Sequence, residues 1–286
     1  SRGTIVSAAY LAEPANAAKV AKLVMIDGQP CVDVVPCLAP TQATLPGQAH
    51  VETATSAESF ADQFEFLVGE APEVTDIVAQ REPVVLEGRA VEFPANVGRA
   101  GVRLDVWAID PSTGQRPGDE PPAPFELDDE GRFGPFEAVP GAHYEWVLSS
   151  TGPDVQHHLY LQPYVRSSSF VRLLSSAPDG TTRANTNVGD DHVALIAIRM
   201  REWYASDADE APGDQSDALT VGVAGEEPVD VIADFVGDRA IGLHLHDDAA
   251  TPGETTLEPL PYFSQQPFQN GVDVFLPADG TSTITV

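Results

Sequence analysis

Lysine is nearly absent from this chain: Lys19 and Lys22 are the only two in 286 residues, and Lys plus Arg number 15 against 44 Asp plus Glu. The resulting net charge of −29 repels nucleic acid and anionic membrane surfaces, so phosphate-backbone binding is excluded as a function class. The acids are spread through every segment rather than gathered in a tail. They read as a solubility or salt-tolerance adaptation, with acidic loops as solvated faces. Cysteine is equally scarce. Cys31 and Cys37 are too few for a disulfide scaffold or a four-cysteine zinc site. Their spacing suits either a small-loop disulfide in an oxidising compartment or two buried thiols. No apolar run reaches the roughly 20 residues of a membrane span, and no Gly-rich phosphate cradle occurs.

What is present changes texture along the chain, and the length fits two or three domains. Residues 2–13 (RGTIVSAAYLAE) place small and apolar residues at helical spacing up to Pro14, and AKLVMID (21–27) reads as a short buried strand ending in an acid. DVVPCLAP (33–40) reads as a strand near a sheet edge, interrupted by Pro36. Residues 55–68 are predicted helical: Thr55 and Glu58 have capping-box spacing, Phe60, Phe64 and Leu67 share a face, and Gly69 stands where the helix should end. From about residue 82 the period becomes two. PVVLEGRAVEF, GVRLDVWAID, GRFGPFEAV and HYEWVLSS read as strands, and the same style continues from 151 in HHLYLQP, SSFVRLLSS, DHVALIAIRMREWYA, ALTVGVAG and RAIGLHLHDD.

Chemistry is concentrated in the first seventy residues. Ser1, Arg2 and Gly3 fit the second half of G-x-S-x-G, a nucleophile elbow in which the serine sits on a strand-to-helix turn and the next backbone N–H faces the oxyanion. Ser1 would be the nucleophile and the Arg2 N–H an oxyanion donor. S-x-G alone carries little weight. An acid and a histidine in the order Ser, Asp, His add to it: Asp27 ends the strand AKLVMID, and His50 sits in the loop GQAHVE before the capped helix. Asp33 is the alternative acid.

SRGTIVSAAYLAEP, KLVMIDG and GQAHVETATSAESFADQFEFLVG resemble the back half of an α/β-hydrolase lipase or esterase, most of all the lipases that append C-terminal β-domains for lipid binding. The resemblance implies a catalytic triad of Ser1, Asp27 and His50 without cofactor or metal. It also places the acid unusually early, after the strand that directly follows the nucleophile helix. LEGRAVEFPANVGRAGVRLDVWAID with LDDEGRFGPFEAVPGAHYEWVL resembles the carboxypeptidase-regulatory-like, transthyretin-like β-sandwich, through Asp129, Gly131, Arg132 and Phe133 and through Pro140, Gly141 and Tyr144. HHLYLQPYVRSSSFVRLL is similar to the opening of the terminal lipid-binding domain.

The implied architecture is multidomain: a partial α/β-hydrolase remnant over 1–75, then two all-β, sandwich-like domains over 76–150 and 151–286. The implied activity is carboxylic ester hydrolysis. Lipid or another ester is the expected substrate, a lipid interface is expected to meet the C-terminal β-domain, and nucleic acid is not expected as a partner. The absent early strands and second oxyanion donor predict a fragment that is inactive alone. Secretion is implied by the family; no charged-then-apolar segment opens the chain. An N-terminal-nucleophile hydrolase is a lesser alternative, because such enzymes run from the nucleophile into a strand rather than a helix. A non-catalytic β-domain binding protein is the alternative from another class. Elsewhere, His244 and His246 share a strand face but offer only two ligands, His157 and His158 point to opposite faces, and His192 reads as a loop residue.

Overall fold

The computed structural model describes residues 2–93, 95–118, 123–149, 156–175, 189–205, 216–223, 225–236, 240–248, 251–266 and 268–286. The chain divides into two compact units, one formed by Ser1–Asp76 with Thr186–Val286 and the other by Ile77–Asn185.

In the first unit, α1 (Arg2–Leu11) ends ahead of Pro14, which opens the short α2 (Pro14–Ala17) at a position where its missing N–H costs nothing. Strands β1 (Leu23–Val24) and β2 (Cys37–Leu38) pair in parallel, Leu23 with Cys37 and Val24 with Leu38. The ladder runs on past both strands, with the Met25 N–H donating to the Leu38 carbonyl at 2.8 Å and the Asp27 N–H to that of Pro40 at 2.7 Å. Cys31 and Cys37 form a disulfide with a Cα separation of 5.7 Å. That bond folds residues 31–36 into a clipped turn, so the strand expected from residue 33 is reduced to Cys37–Leu38. Pro36 contributes only its carbonyl, to the Leu23 N–H.

The expected helix at 55–68 is split into α3 (Glu52–Thr55) and α4 (Ala57–Val68) by extended Ser56. Ser56, not Thr55, is the cap, its side-chain oxygen accepting the Ser59 N–H. Gly69 ends α4 at φ 97°, a left-handed conformation that glycine adopts without a Cβ penalty. The stripe of Phe60 and Leu67 stays 43% and 50% exposed.

The C-terminal part of this unit contributes β11 (Leu195–Trp203), β14 (Ala240–His246) and β15 (Gln269–Asp273) in one sheet, and β12 (Thr220–Val223), β13 (Val229–Asp230) and β16 (Ile284–Thr285) in another. Inward side chains of these strands, among them Leu243, Leu245 and Val272, form its core together with Val231 and Leu276 from the adjoining segments.

The second unit is two sheets. One runs β10 (Ser168–Ser175), β3 (Val84–Glu92), β4 (Val97–Gly98), with β7 (Arg132–Ala138) also on β3. The other runs β6 (Ala123–Glu126), β5 (Arg103–Ala108), β8 (Tyr144–Ser149), β9 (Gln156–Tyr160). Period-two patterning turns Leu86, Leu104, Phe133, Phe136, Trp146 and Leu173 into one core. The Phe133 and Trp146 ring centroids lie 5.6 Å apart, and Phe136 meets Tyr144 edge-on at 5.2 Å. β9 and β10, expected beyond a boundary at 150, pair with β8 and β3, so this unit extends to Asn185. The turn acid is Asp128 rather than Asp129: its side chain accepts the N–H groups of Glu130 and Arg132, which hold its carboxyl below the usual range. Tyr144 closes the later turn, its hydroxyl accepting the Val139 N–H.

Candidate active site

The parallel pair β1–β2 delivers Asp27 at the carboxyl end of β1, where loops after strands carry side chains to ligands. Asp27 has φ 37°, a left-handed conformation that the short acid tolerates better than most residues. This kink accompanies a carboxylate engaged on both oxygens: Oδ1 accepts the Gln42 N–H at 3.3 Å, and Oδ2 lies 2.5 Å from Nδ1 of His50. Asp27 and His50 are 17% and 33% exposed, so the pair is sheltered yet reachable. The His50 ring stacks at 24° on Phe268, centroids 6.2 Å apart, and the next peptide N–H, of Val51, donates to Glu202 Oε1 at 2.7 Å.

Helix α1 is tied to the same place. Thr4, in its first turn, is buried, and its hydroxyl oxygen accepts the Gln29 N–H at 2.9 Å, two residues past Asp27. Ser1 lies outside the described residues. Arg2 opens α1 and is exposed. Asp33 sits in the exposed turn inside the disulfide loop, whereas the carboxylate on His50 is that of Asp27. An imidazole held at Nδ1 by a carboxylate leaves Nε2 as the nitrogen that can take and return a proton.

Glu202 and Phe268 belong to the surroundings of His50 but carried no local signal. The one trace is in LIAIRMREW, where the alternation of half-buried and exposed residues breaks and Glu202 is buried beside Trp203. Of the other histidines, His244 and His246 are not at a solvated strand end. Both are buried, His244 stacked 4.3 Å from Phe263. Burial first, then the neighbouring His246, lowers His244 to about 4, against a hydrogen bond to Gln269 that acts the other way. His192 is also buried, paired across a bridge with Pro277. No group of three or more His, Cys, Asp or Glu suited to a metal occurs among the described residues. In the second unit, His158, Arg116 and Tyr160 all bond to buried Glu145; burial raises this carboxyl, but the three bonds outweigh it and hold it at about 2. These groups satisfy one another on a sheet face.

Residues 82–178 match the family model described as lipase C-terminal domain, and residues 181–286 match a second C-terminal-domain family model. Residues 82–178 thus fit a lipase C-terminal β-domain, in keeping with the all-β second unit. No curated protein matches. Among solved structures, the chain is similar to 3-chlorocatechol 1,2-dioxygenase from Rhodococcus opacus 1CP, at 19% identity over 30% of this chain and 46% of that one, TM-score 0.21. It is also similar to an (S)-allantoin synthase, at 16% identity over 35% of this chain and 43% of that one, TM-score 0.23. The chain therefore spans less than half of either protein, and likenesses this slight carry no argument about its chemistry.

Proposed function

We propose that this chain carries the acid and base of a serine carboxylester hydrolase, with Ser1 as nucleophile, His50 as general base and acid, and Asp27 as the group that orients the imidazole. The observation that carries the reading is the 2.5 Å contact between His50 Nδ1 and Asp27 Oδ2 at the carboxyl end of a parallel strand pair. The tie between Thr4 and Gln29 supports it, because it brings the first turn of α1 to the loop that follows Asp27. The match to a lipase C-terminal domain gives independent support for ester-hydrolase kinship.

In this mechanism His50 Nε2 takes the proton of the Ser1 hydroxyl as its oxygen attacks the ester carbonyl. Asp27 stabilises the imidazolium. The tetrahedral oxyanion is held by the Arg2 N–H and a second donor, and collapse expels the alcohol, which receives its proton from His50. Water then repeats the cycle on the acyl-enzyme. The substrate class fits a lipid or another ester with an apolar acyl group: Ile196, Ile198 and Met200 present an exposed apolar row on β11, 42%, 60% and 71% exposed. The Cys31–Cys37 disulfide favours an oxidising, extracellular location. The helix running from Arg2 disfavours an N-terminal-nucleophile enzyme.

The test is fluorophosphonate labelling and p-nitrophenyl ester turnover by the intact gene product. Both are expected to vanish in Ser1→Ala, and turnover is expected to fall by on the order of 10³-fold or more in His50→Ala. Undiminished labelling in both variants would sink the assignment.

A further inference from the structure

We infer that Glu202 is the positioning residue of the His50 loop, carried there by a bulge in β11; this rests on the serine-hydrolase reading above. β11 and β14 pair regularly from Leu195 with Leu245 to Ile198 with Gly242, and pairing resumes only at Trp203 with Ala240. Residues 199–202 therefore leave the ladder, and such bulges bend a strand and re-aim its side chains. Here three successive residues are turned onto the segment that follows His50. The Met200 carbonyl accepts from the Thr55 hydroxyl at 3.4 Å, Arg201 Nε lies 4.0 Å from Glu52 Oε2, and Glu202 Oε1 accepts the Val51 N–H at 2.7 Å. The bulge is locked by Arg199. Its Nη2 donates to the Glu202 carbonyl and to Asp217 Oδ2, and its guanidinium lies 3.8 Å from the centroid of the Trp203 ring.

Glu202 is a costly residue at this place for packing alone. Its side chain is fully buried, and Oε2 has no hydrogen-bond partner among the described residues. A leucine would fill the space without that desolvation. The bond its side chain makes goes to the peptide N–H directly after the base, at the start of α3, where the N-cap residue Val51 has no capping side chain of its own. The histidine is thus held from three directions: the ring edge by Asp27, the ring face by Phe268, and the backbone by Glu202. A displacement of about 1 Å in such a base is enough to cost on the order of 100-fold in rate.

Glu202→Leu and Glu202→Gln in the intact gene product separate positioning from packing. Leucine keeps the apolar packing and removes the acceptor, so kcat is expected to fall about 100-fold with KM little changed, and the low-field proton resonance of His50 Nδ1 to broaden or vanish. Glutamine keeps an acceptor oxygen, and is expected to restore kcat to within about tenfold of the parent together with that resonance. A leucine variant with parental kcat and an intact resonance overturns the inference. If the leucine variant does not fold, the glutamine variant decides, and a folded glutamine variant without the resonance overturns it equally. Should the parent hydrolyse no ester and take no fluorophosphonate, the serine-hydrolase reading falls, and the Nδ1 resonance alone reports whether Glu202 sets His50.

Discussion

His244 makes the first unit sensitive to acid, and the size of the effect follows from its surroundings. The ring is 4% exposed on β14, stacked on Phe263, with His246 two residues along the same face. Burial, followed by the charge of His246, keeps its folded pKa at about 4, whereas in the unfolded chain an imidazole titrates near 6.5. As pH falls below about 6.5 the unfolded state binds the proton first, so it is favoured. The folded state is neutral until pH nears about 4 and binds the proton only below that. Stability is therefore whole above about pH 6.5, is lost as pH falls through the window down to about 4, and levels off below it. Linkage puts the loss from this one group at about 2 kcal/mol by pH 5 and about 3 kcal/mol by pH 4. Hydrogen exchange of the β14 and β15 amides at pH 8 and pH 5 reads this unit apart from residues 77–185. His244→Gln removes the titration and should lose about 2 kcal/mol less between those two pH values. Equal losses in parent and variant would refute the reasoning.

Two further perturbations test the supports of the fold. Replacing Cys31 and Cys37 together by serine opens a loop with a sequence separation of six; a short loop of this kind contributes about 2 kcal/mol. Because the clip follows Asp27 by four residues, ester turnover should fall along with the melting temperature, and a variant unchanged in both would contradict this. Gly131→Ala places a Cβ 2.2 Å from the Ala90 carbonyl oxygen at φ +71°, so the Ile77–Asn185 unit should lose more than about 2 kcal/mol by denaturant unfolding. A loss below about 1 kcal/mol would show that the turn relaxes around the added carbon.

Local grammar made the first seventy residues readable. A short apolar run ending in Asp27, a turn, and a histidine before a capped helix are each spelled within a dozen residues, and the contact between Asp27 and His50 joins positions only 23 apart. Strand lengths came out shorter than read, at Leu23–Val24 and Cys37–Leu38, and two caps were missed by one residue. Ser56 and Asp128 win over Thr55 and Asp129 because a cap is chosen by which side chain reaches the free N–H groups, and neighbouring polar residues look alike in sequence. Pairing partners were less legible. β9 and β10 read as strands but belong with β8 and β3, since a strand's alternation fixes its faces and not its neighbour. Glu202 was beyond reach, because a buried acid closing a strand looks like a strand end until the bulge shows where it points.

The two-unit division has a consequence for synthesis. The first unit is built from the two ends of the chain, with Ile77–Asn185 inserted between them, and the hydrogen bond from Val51 to Glu202 spans 151 positions. At roughly 5–20 residues per second, the ribosome makes the inserted unit for about 5–20 s while the segment carrying Asp27 and His50 waits without the strands it will pack on. The insert can complete its own sheets in that interval, and the histidine loop cannot. The surroundings of the base are thus completed only after the insert has been made, when β11 brings Glu202 to Val51 and a still later segment brings Phe268 to the ring.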